Sequence, residues 1–127
     1  MSDLTPADAE LLAAADEVAA RAYAPYSGFR VGAAARARDG RVFAGCNVEN
    51  AAYPLTSCAE RTALSRAVAE AGLGPGDIEA IAITASPCGG CRQWLTEFRL
   101  ERVLYRRADG SVALSTPAAL LPDTFKV

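Results

Sequence analysis

Two short segments, Cys58-Ala59-Glu60 and Pro87-Cys88-Gly89-Gly90-Cys91, constrain this chain most, because their thiols share a use only if the fold brings them together. Three cysteine thiolates supply three of the four ligands of a tetrahedral zinc. The chain has no histidine, so Cys46 is the remaining soft donor that would close such a site. A closed four-cysteine site is structural, whereas three ligands with a fourth position open to water belong to a reactive metal. Cys46 falls in a run of strand character, where a lone cysteine behaves as a small hydrophobe. The open site, held by Cys58, Cys88 and Cys91, is therefore the expectation. A Cys-x-x-Cys also serves redox chemistry, but that use leaves Cys58 and Glu60 idle.

Glu60 has a structural reading of its own. Ser57-x-x-Glu60 matches the capping box that opens a helix, and taken alone that reading is the better one. The adjoining ligand spacing reverses it, since a Cys58 in the first helical turn sets Glu60 beside the metal and within reach of its water. A Cys-x-Glu followed by Pro-Cys-x-x-Cys resembles the all-cysteine form of the zinc-deaminase signature. In that pattern the carboxylate carries protons and is not a ligand.

The bulk of the sequence narrows the alternatives. At 127 residues the chain reads as a single domain, 1–127, long enough to bury a core without staples. Its hydrophobic content of 51% excludes a disordered chain. A net charge of −2 is a poor footprint for nucleic-acid binding. Arg99, Arg102, Arg106 and Arg107 fall close together and read as a solvated face. Residues 1–24 read as an Ala-rich amphipathic helix with acids throughout, not as a signal peptide, and no apolar run is long enough to span a membrane. Reduced thiols in the cytoplasm are the expectation.

Local patterns order the elements. Thr5-Pro6 is a helix start, followed by a stripe of Leu11, Ala15, Val18, Ala19 and Ala22 that ends before Pro25. Val31–Arg38 and Arg41–Asn47 flank Asp39-Gly40, a hairpin signal. Helical spacing returns from Cys58 to Ala71, with Gly72 as its C-terminal cap. Ile78–Ala85 reads as a central buried strand. Ser86-Pro87 opens a further helix with Cys88 and Cys91 in its first turn, where the dipole favours thiolate. Strands at Arg102–Arg107 and Ser111–Leu114 surround Asp109-Gly110, and a short helix follows near Thr116-Pro117. The order α-β-β-α-β-α-β-β predicts an α/β fold, an α/β/α sandwich with one five-stranded mixed sheet.

Over nearly its whole length the sequence resembles the small homotetrameric cytidine deaminases. The likeness runs through residues 23–34 (Tyr-Ala-Pro-Tyr-Ser-Gly-Phe-Arg-Val-Gly-Ala-Ala) and 45–54 (Gly-Cys-Asn-Val-Glu-Asn-Ala-Ala-Tyr-Pro). It continues through Cys58–Ala63, Ser86–Gln93 and Leu120–Phe125. Trp94 departs from the smaller aliphatic residue expected there and reads as core packing. The resemblance implies one Zn²⁺ per chain, Glu60 as the catalytic carboxylate, and Arg61 donating to the zinc thiolates from behind them. It implies a substrate pocket in which Phe29 stacks on the pyrimidine and Asn47 and Glu49 bind the ribose hydroxyls, with Ala59, Tyr53 and Phe125 also at the substrate. Phe125 and Tyr53 would close a neighbouring subunit's pocket in a homotetramer, with a small nucleoside as ligand and neither nucleic acid nor membrane as partner. The implied reaction is hydrolytic deamination of cytidine and 2′-deoxycytidine in pyrimidine salvage. The alternatives are a deaminase of a nucleoside antibiotic or modified cytosine nucleoside, a polynucleotide deaminase, and a non-catalytic zinc module.

Overall fold

The computed structural model describes residues 4–126; Met1–Asp3 of the N-terminal reading and Val127 of the C-terminal one lie outside the described residues. The elements are α1 (Pro6–Ala19), β1 (Gly32–Ala37), β2 (Val42–Cys46), a 3-10 turn (Tyr53–Leu55), α2 (Ala59–Ala71), β3 (Ile78–Ile83), α3 (Gly89–Glu97), β4 (Arg102–Arg106), β5 (Val112–Ser115) and α4 (Pro117–Leu120). The five strands form one sheet in the order β2-β1-β3-β4-β5. Only β3 and β4 run parallel, joined by the α3 crossover, while β1–β2, β1–β3 and β4–β5 are antiparallel. The mixed α/β sheet matches the expectation from the sequence, with β3 at its centre.

Side chains alternate across the sheet because the strand repeat is two residues. Ala33, Ala35, Ile81, Ile83 and Val103 face α2 and α3 with Leu64, Ala67 and Leu95. Ala34, Ala80, Ala82 and Leu104 face α1 with Leu11, Leu12 and Ala15. A register shift after Arg36 pairs Ala37 with Ile78. This bulge turns Ile78 to the α2 side, although it lies two residues from Ala80 on the other. Trp94 is half-buried at the margin of the core, stacked on Phe98 with ring centroids 6.1 Å apart.

Thr5 caps α1 as the sequence indicates, and Asp8 completes a capping box with it. Asp8 is fully buried and is also ion-paired to Arg102 and, at 3.6 Å, to Arg36. Arg106 binds Asp16 of α1 at 2.6 Å. Arg102 and Arg106 thus fasten β4 to α1 and do not form the solvated face read from the sequence; Arg99 and Arg107 are exposed. Two further boundaries differ from expectation. Ala22 is buried but lies beyond the end of α1, because Tyr23 has left the helix to bond with Asn47 and Glu49. Ser57 does not cap α2: Cys58 is the N-cap, and the Ser57 hydroxyl bonds that of Thr62 instead.

Candidate active site

The two ligand helices open in the same way. Cys58 is the N-cap of α2 and Cys88 the N-cap of α3, both in extended backbone conformation. Pro87 is therefore outside α3 and Cys88 just ahead of its first turn, one step from the sequence reading. The Cys88 sulfur accepts from the Cys91 amide at 3.4 Å, which leaves a cysteine in the role a serine or aspartate commonly fills. The sulfurs of Cys58, Cys88 and Cys91 all lie within 4.8 Å of one another, and those of Cys58 and Cys88 are 3.9 Å apart. Zinc–sulfur bonds of about 2.3 Å in a tetrahedron require sulfur separations of about 3.8 Å, so the donor set fits zinc. Cys46 is a free, half-buried cysteine outside this group.

The electrostatics of the cluster are those of a shared negative charge. A hydrogen bond from the Cys91 thiol lowers Cys58 to about 6, with help from Cys88 and the charge of Arg61 and against the effect of burial. Cys91, as the donor in a buried position, is pushed up. Burial works against the charge on Arg61, and the three cysteine sulfurs more than offset it. The Arg61 guanidinium lies over the first turn of α3, where a β-carbon on Gly90 would come within 2.6 Å of its Nη2. Glu60 is 3% exposed in the first turn of α2. Burial first, and then the charge of Cys58, raise its carboxyl above the ordinary range. A buried carboxyl so tuned is suited to both taking and giving a proton.

A cleft of about 260 Å³ joins Glu60, Cys58, Cys88 and Ala59 to Phe29, Asn47 and Glu49. Phe29 is 62% exposed, which is not the state of a core aromatic ring. Asn47 follows β2 and is nearly buried; its Oδ1 accepts from the Val31 amide at 2.8 Å and its Nδ2 donates to the Phe29 carbonyl at 2.9 Å. Glu49 accepts from the amides of Tyr26 and Ser27 at 2.9 and 3.1 Å. It also accepts from the Ser27 hydroxyl, the largest cause of its carboxyl lying below the ordinary range.

Tyr53 and Phe125 stand apart from this cleft. Tyr53 is exposed, edge-on to Tyr26 at 6.1 Å, in an adjoining cavity of about 410 Å³ that shares Ser27, Glu49 and Thr56 with the first. Phe125 is 74% exposed beside Gln93, Glu97 and Arg99 of the α3 region, with its carbonyl accepting from Gln93 at 3.3 Å. Sequence reasoning singled out no role for Ser27, Thr56 or Ser86, all of which line the cleft beside Cys58, Cys88 and Glu60. Ser27-Gly28 is a dipeptide of the kind that marks turns, but nothing local in the sequence shows that Ser27 faces Glu49.

A family model described as the cytidine and deoxycytidylate deaminase zinc-binding region matches residues 5–107. The chain belongs to that deaminase family. The membership makes it an enzyme and sets aside the redox and non-catalytic zinc readings. The chain is 42% identical over 124 residues to a cytidine deaminase of Sporosarcina psychrophila, covering 91% of this chain and 89% of that protein. It is 45% identical over 112 residues to one of Halalkalibacterium halodurans, covering 82% and 83%. A crystal structure of cytidine deaminase from Burkholderia pseudomallei superimposes with a TM-score of 0.86 at 45% identity, over 96% of this chain and 100% of that one. Among the described residues, no helix of this deaminase-family chain is long and apolar enough to cross a membrane.

Proposed function

We propose that this chain hydrolyses cytidine and 2′-deoxycytidine to uridine and 2′-deoxyuridine with release of ammonia, in pyrimidine salvage in the cytoplasm. The observation that carries the reading is the buried Glu60 carboxyl beside a three-sulfur cluster, in one cleft with an exposed aromatic ring and a pair of polar side chains. Cys58, Cys88 and Cys91 would hold one zinc. Zinc supplies Lewis acidity that makes water a nucleophile near neutral pH.

Glu60 carries the protons. Water adds at C4 of the pyrimidine while Glu60 takes a proton and delivers it to N3. Glu60 then moves the proton of the new C4 hydroxyl to the exocyclic nitrogen. The C4–N bond breaks, ammonia leaves and the C4 carbonyl forms. Phe29 packs on the base, Ala59 lines its edge, and Asn47 and Glu49 bind the ribose hydroxyls. Arg61 offsets the negative charge of the thiolates.

The lining of the two adjoining cavities favours a free nucleoside. It contains the carboxylates of Glu49 and Glu60, whose negative charge disfavours a 5′-phosphate or a polynucleotide. The antiparallel β4–β5 hairpin supports the same choice. By the resemblance, free-nucleoside deaminases have it, whereas polynucleotide editors run those strands parallel. Phe125 and Tyr53 close a neighbouring subunit's cleft in a homotetramer; their exposure away from the Glu60 cleft of their own chain supports this reading.

The test is Glu60→Gln, which should lose two to four decades of rate or more while keeping its zinc. Cytidine, 2′-deoxycytidine, free cytosine, blasticidin S and a short oligonucleotide are compared as substrates of the wild type. A Glu60→Gln protein with near-normal turnover refutes the role of Glu60. Preference for the oligonucleotide or the antibiotic replaces the substrate reading, and inertness towards every compound ends it.

A further inference from the structure

The segment between α1 and β1 is bound to the segment after β2 by polar contacts along its length. Tyr23 exchanges backbone hydrogen bonds with Asn47 and Glu49, at 3.1 and 2.9 Å. Asn47 holds Phe29 and Val31 from one side. At the other end Ser27 makes the densest junction. Its amide donates to Glu49 Oε1 at 3.1 Å, its hydroxyl donates to Glu49 Oε2, and the same hydroxyl accepts from the Phe29 amide at 3.0 Å. One hydroxyl oxygen therefore touches both the carboxylate assigned to the sugar and the backbone that carries the ring assigned to the base.

An ionised carboxylate offers about four acceptor positions. Tyr26 and the two donors of Ser27 occupy three of those on Glu49, leaving one for a hydroxyl. Charge-assisted bonds of this kind are strong and directional, so they fix the rotamer of Glu49 and with it the direction of that remaining position. Without the Ser27 hydroxyl, Oε2 loses its donor and the Phe29 amide loses its acceptor. Carboxylate and ring would then lose their one shared side-chain contact and be held only by the Tyr26 and Ser27 amides on Glu49 and by Asn47 on the Phe29 carbonyl.

We propose that Ser27 is a positioning residue that sets Glu49 and Phe29 as a unit, so that sugar and base are registered to each other before the pyrimidine reaches Glu60. The proposal rests on the nucleoside-deaminase reading of the cleft. Its signature is kinetic. Ser27 touches neither the cysteines nor Glu60 through any hydrogen bond it makes, so its loss should fall on substrate capture more than on the chemical step.

The experiment compares wild type, Ser27→Ala, Glu49→Gln and the double variant on cytidine, with zinc content measured for each. Ser27→Ala should raise KM about tenfold, the scale of losing a hydrogen bond to a charged group, with kcat falling by less and zinc retained. The double variant should be little worse than Glu49→Gln, because the two side chains act through one junction. A Ser27→Ala enzyme with KM within twofold of wild type overturns the proposal, as does a double variant whose KM rise is the product of the single ones. A fall in kcat larger than the rise in KM also overturns it. A wild type inert on cytidine instead overturns the deaminase reading on which the proposal stands, so the two failures are distinct.

Discussion

Gly45 of β2 packs directly on the backbone of Ala63 in α2: a β-carbon at residue 45 would lie 2.4 Å from the Ala63 amide nitrogen and 2.9 Å from the Ala59 carbonyl. The absence of a side chain lets the start of α2 press against the sheet, and that start carries Cys58, Ala59 and Glu60. Gly45→Ala must therefore push the helix outwards, since backbone atoms cannot swing aside as a side-chain tip does. Overpacking of this sort costs about 1–3 kcal/mol or more. Denaturant unfolding should show that loss, and the displaced Cys58 should lower zinc content per chain. Unchanged stability and full zinc loading would show that α2 does not depend on this contact.

The sulfur geometry makes a sharp statement about which cysteines matter. Cys58→Ser, Cys88→Ser and Cys91→Ser each remove one of the three clustered donors and should abolish stoichiometric zinc. Cys46→Ser, outside the cluster, should keep one zinc per chain and near-normal turnover. Elemental analysis of the purified variants checks both halves. Loss of zinc from Cys46→Ser would mean that the site is closed by four cysteines and is structural.

Asp8 links stability to pH. Burial alone would raise its carboxyl, but hydrogen bonds from Arg102 and Thr5 and the charge of Arg102 hold it below its ordinary value of 3.8. Arg36 of β1 faces it as well, itself paired with Glu79 of β3. A depressed carboxyl contributes stability that is present above about pH 3.8 and is lost as pH falls through the lower, folded value. Asp8→Asn should cost about 3 kcal/mol at pH 7, the scale of leaving a buried partner without its counter-charge. The gap between variant and wild type in urea unfolding should narrow below pH 3.8. A gap that stays constant into that range would mean the carboxylate's charge is not what stabilises.

Where the sequence was legible, short-range chemistry decided the structure. Asp39-Gly40 and Asp109-Gly110 sit in the turns of the two hairpins, and Gly72 caps α2 with a φ of 66°. Ser57-x-x-Glu60 matched a capping box, yet the N-cap falls one residue later at Cys58. Glu60 is then the second helical residue and not the third, so the reciprocal bond of the box cannot form. Competition among long-range partners decided the rest. Arg102 and Arg106 look like a surface run until α1 brings Asp8 and Asp16 over β4. Ser27 looks like an ordinary turn residue until the loop closes on Glu49, 22 positions away.

The exposed ring of Phe125 carries the last expectation. It is 74% exposed, held near α3 through its carbonyl and Gln93, and it is not among the residues lining the Glu60 cleft of its own chain. An aromatic side chain ordered on a surface loses entropy without burying area, whereas docking in a partner's pocket recovers about 1.5–3 kcal/mol. Deleting residues 123–127 should accordingly raise KM for cytidine about tenfold while zinc content stays at one per chain. Mixing the truncated chain with full-length Glu60→Gln gives the stricter measurement. In hybrid assemblies some sites combine the truncated chain's intact Glu60 with the intact tail of the Glu60→Gln chain. Activity at low cytidine should then exceed the sum of the two parents once subunits have exchanged. Confirmed exchange without that gain, or a monomeric full-length protein of full activity, would show that Phe125 serves no neighbouring site.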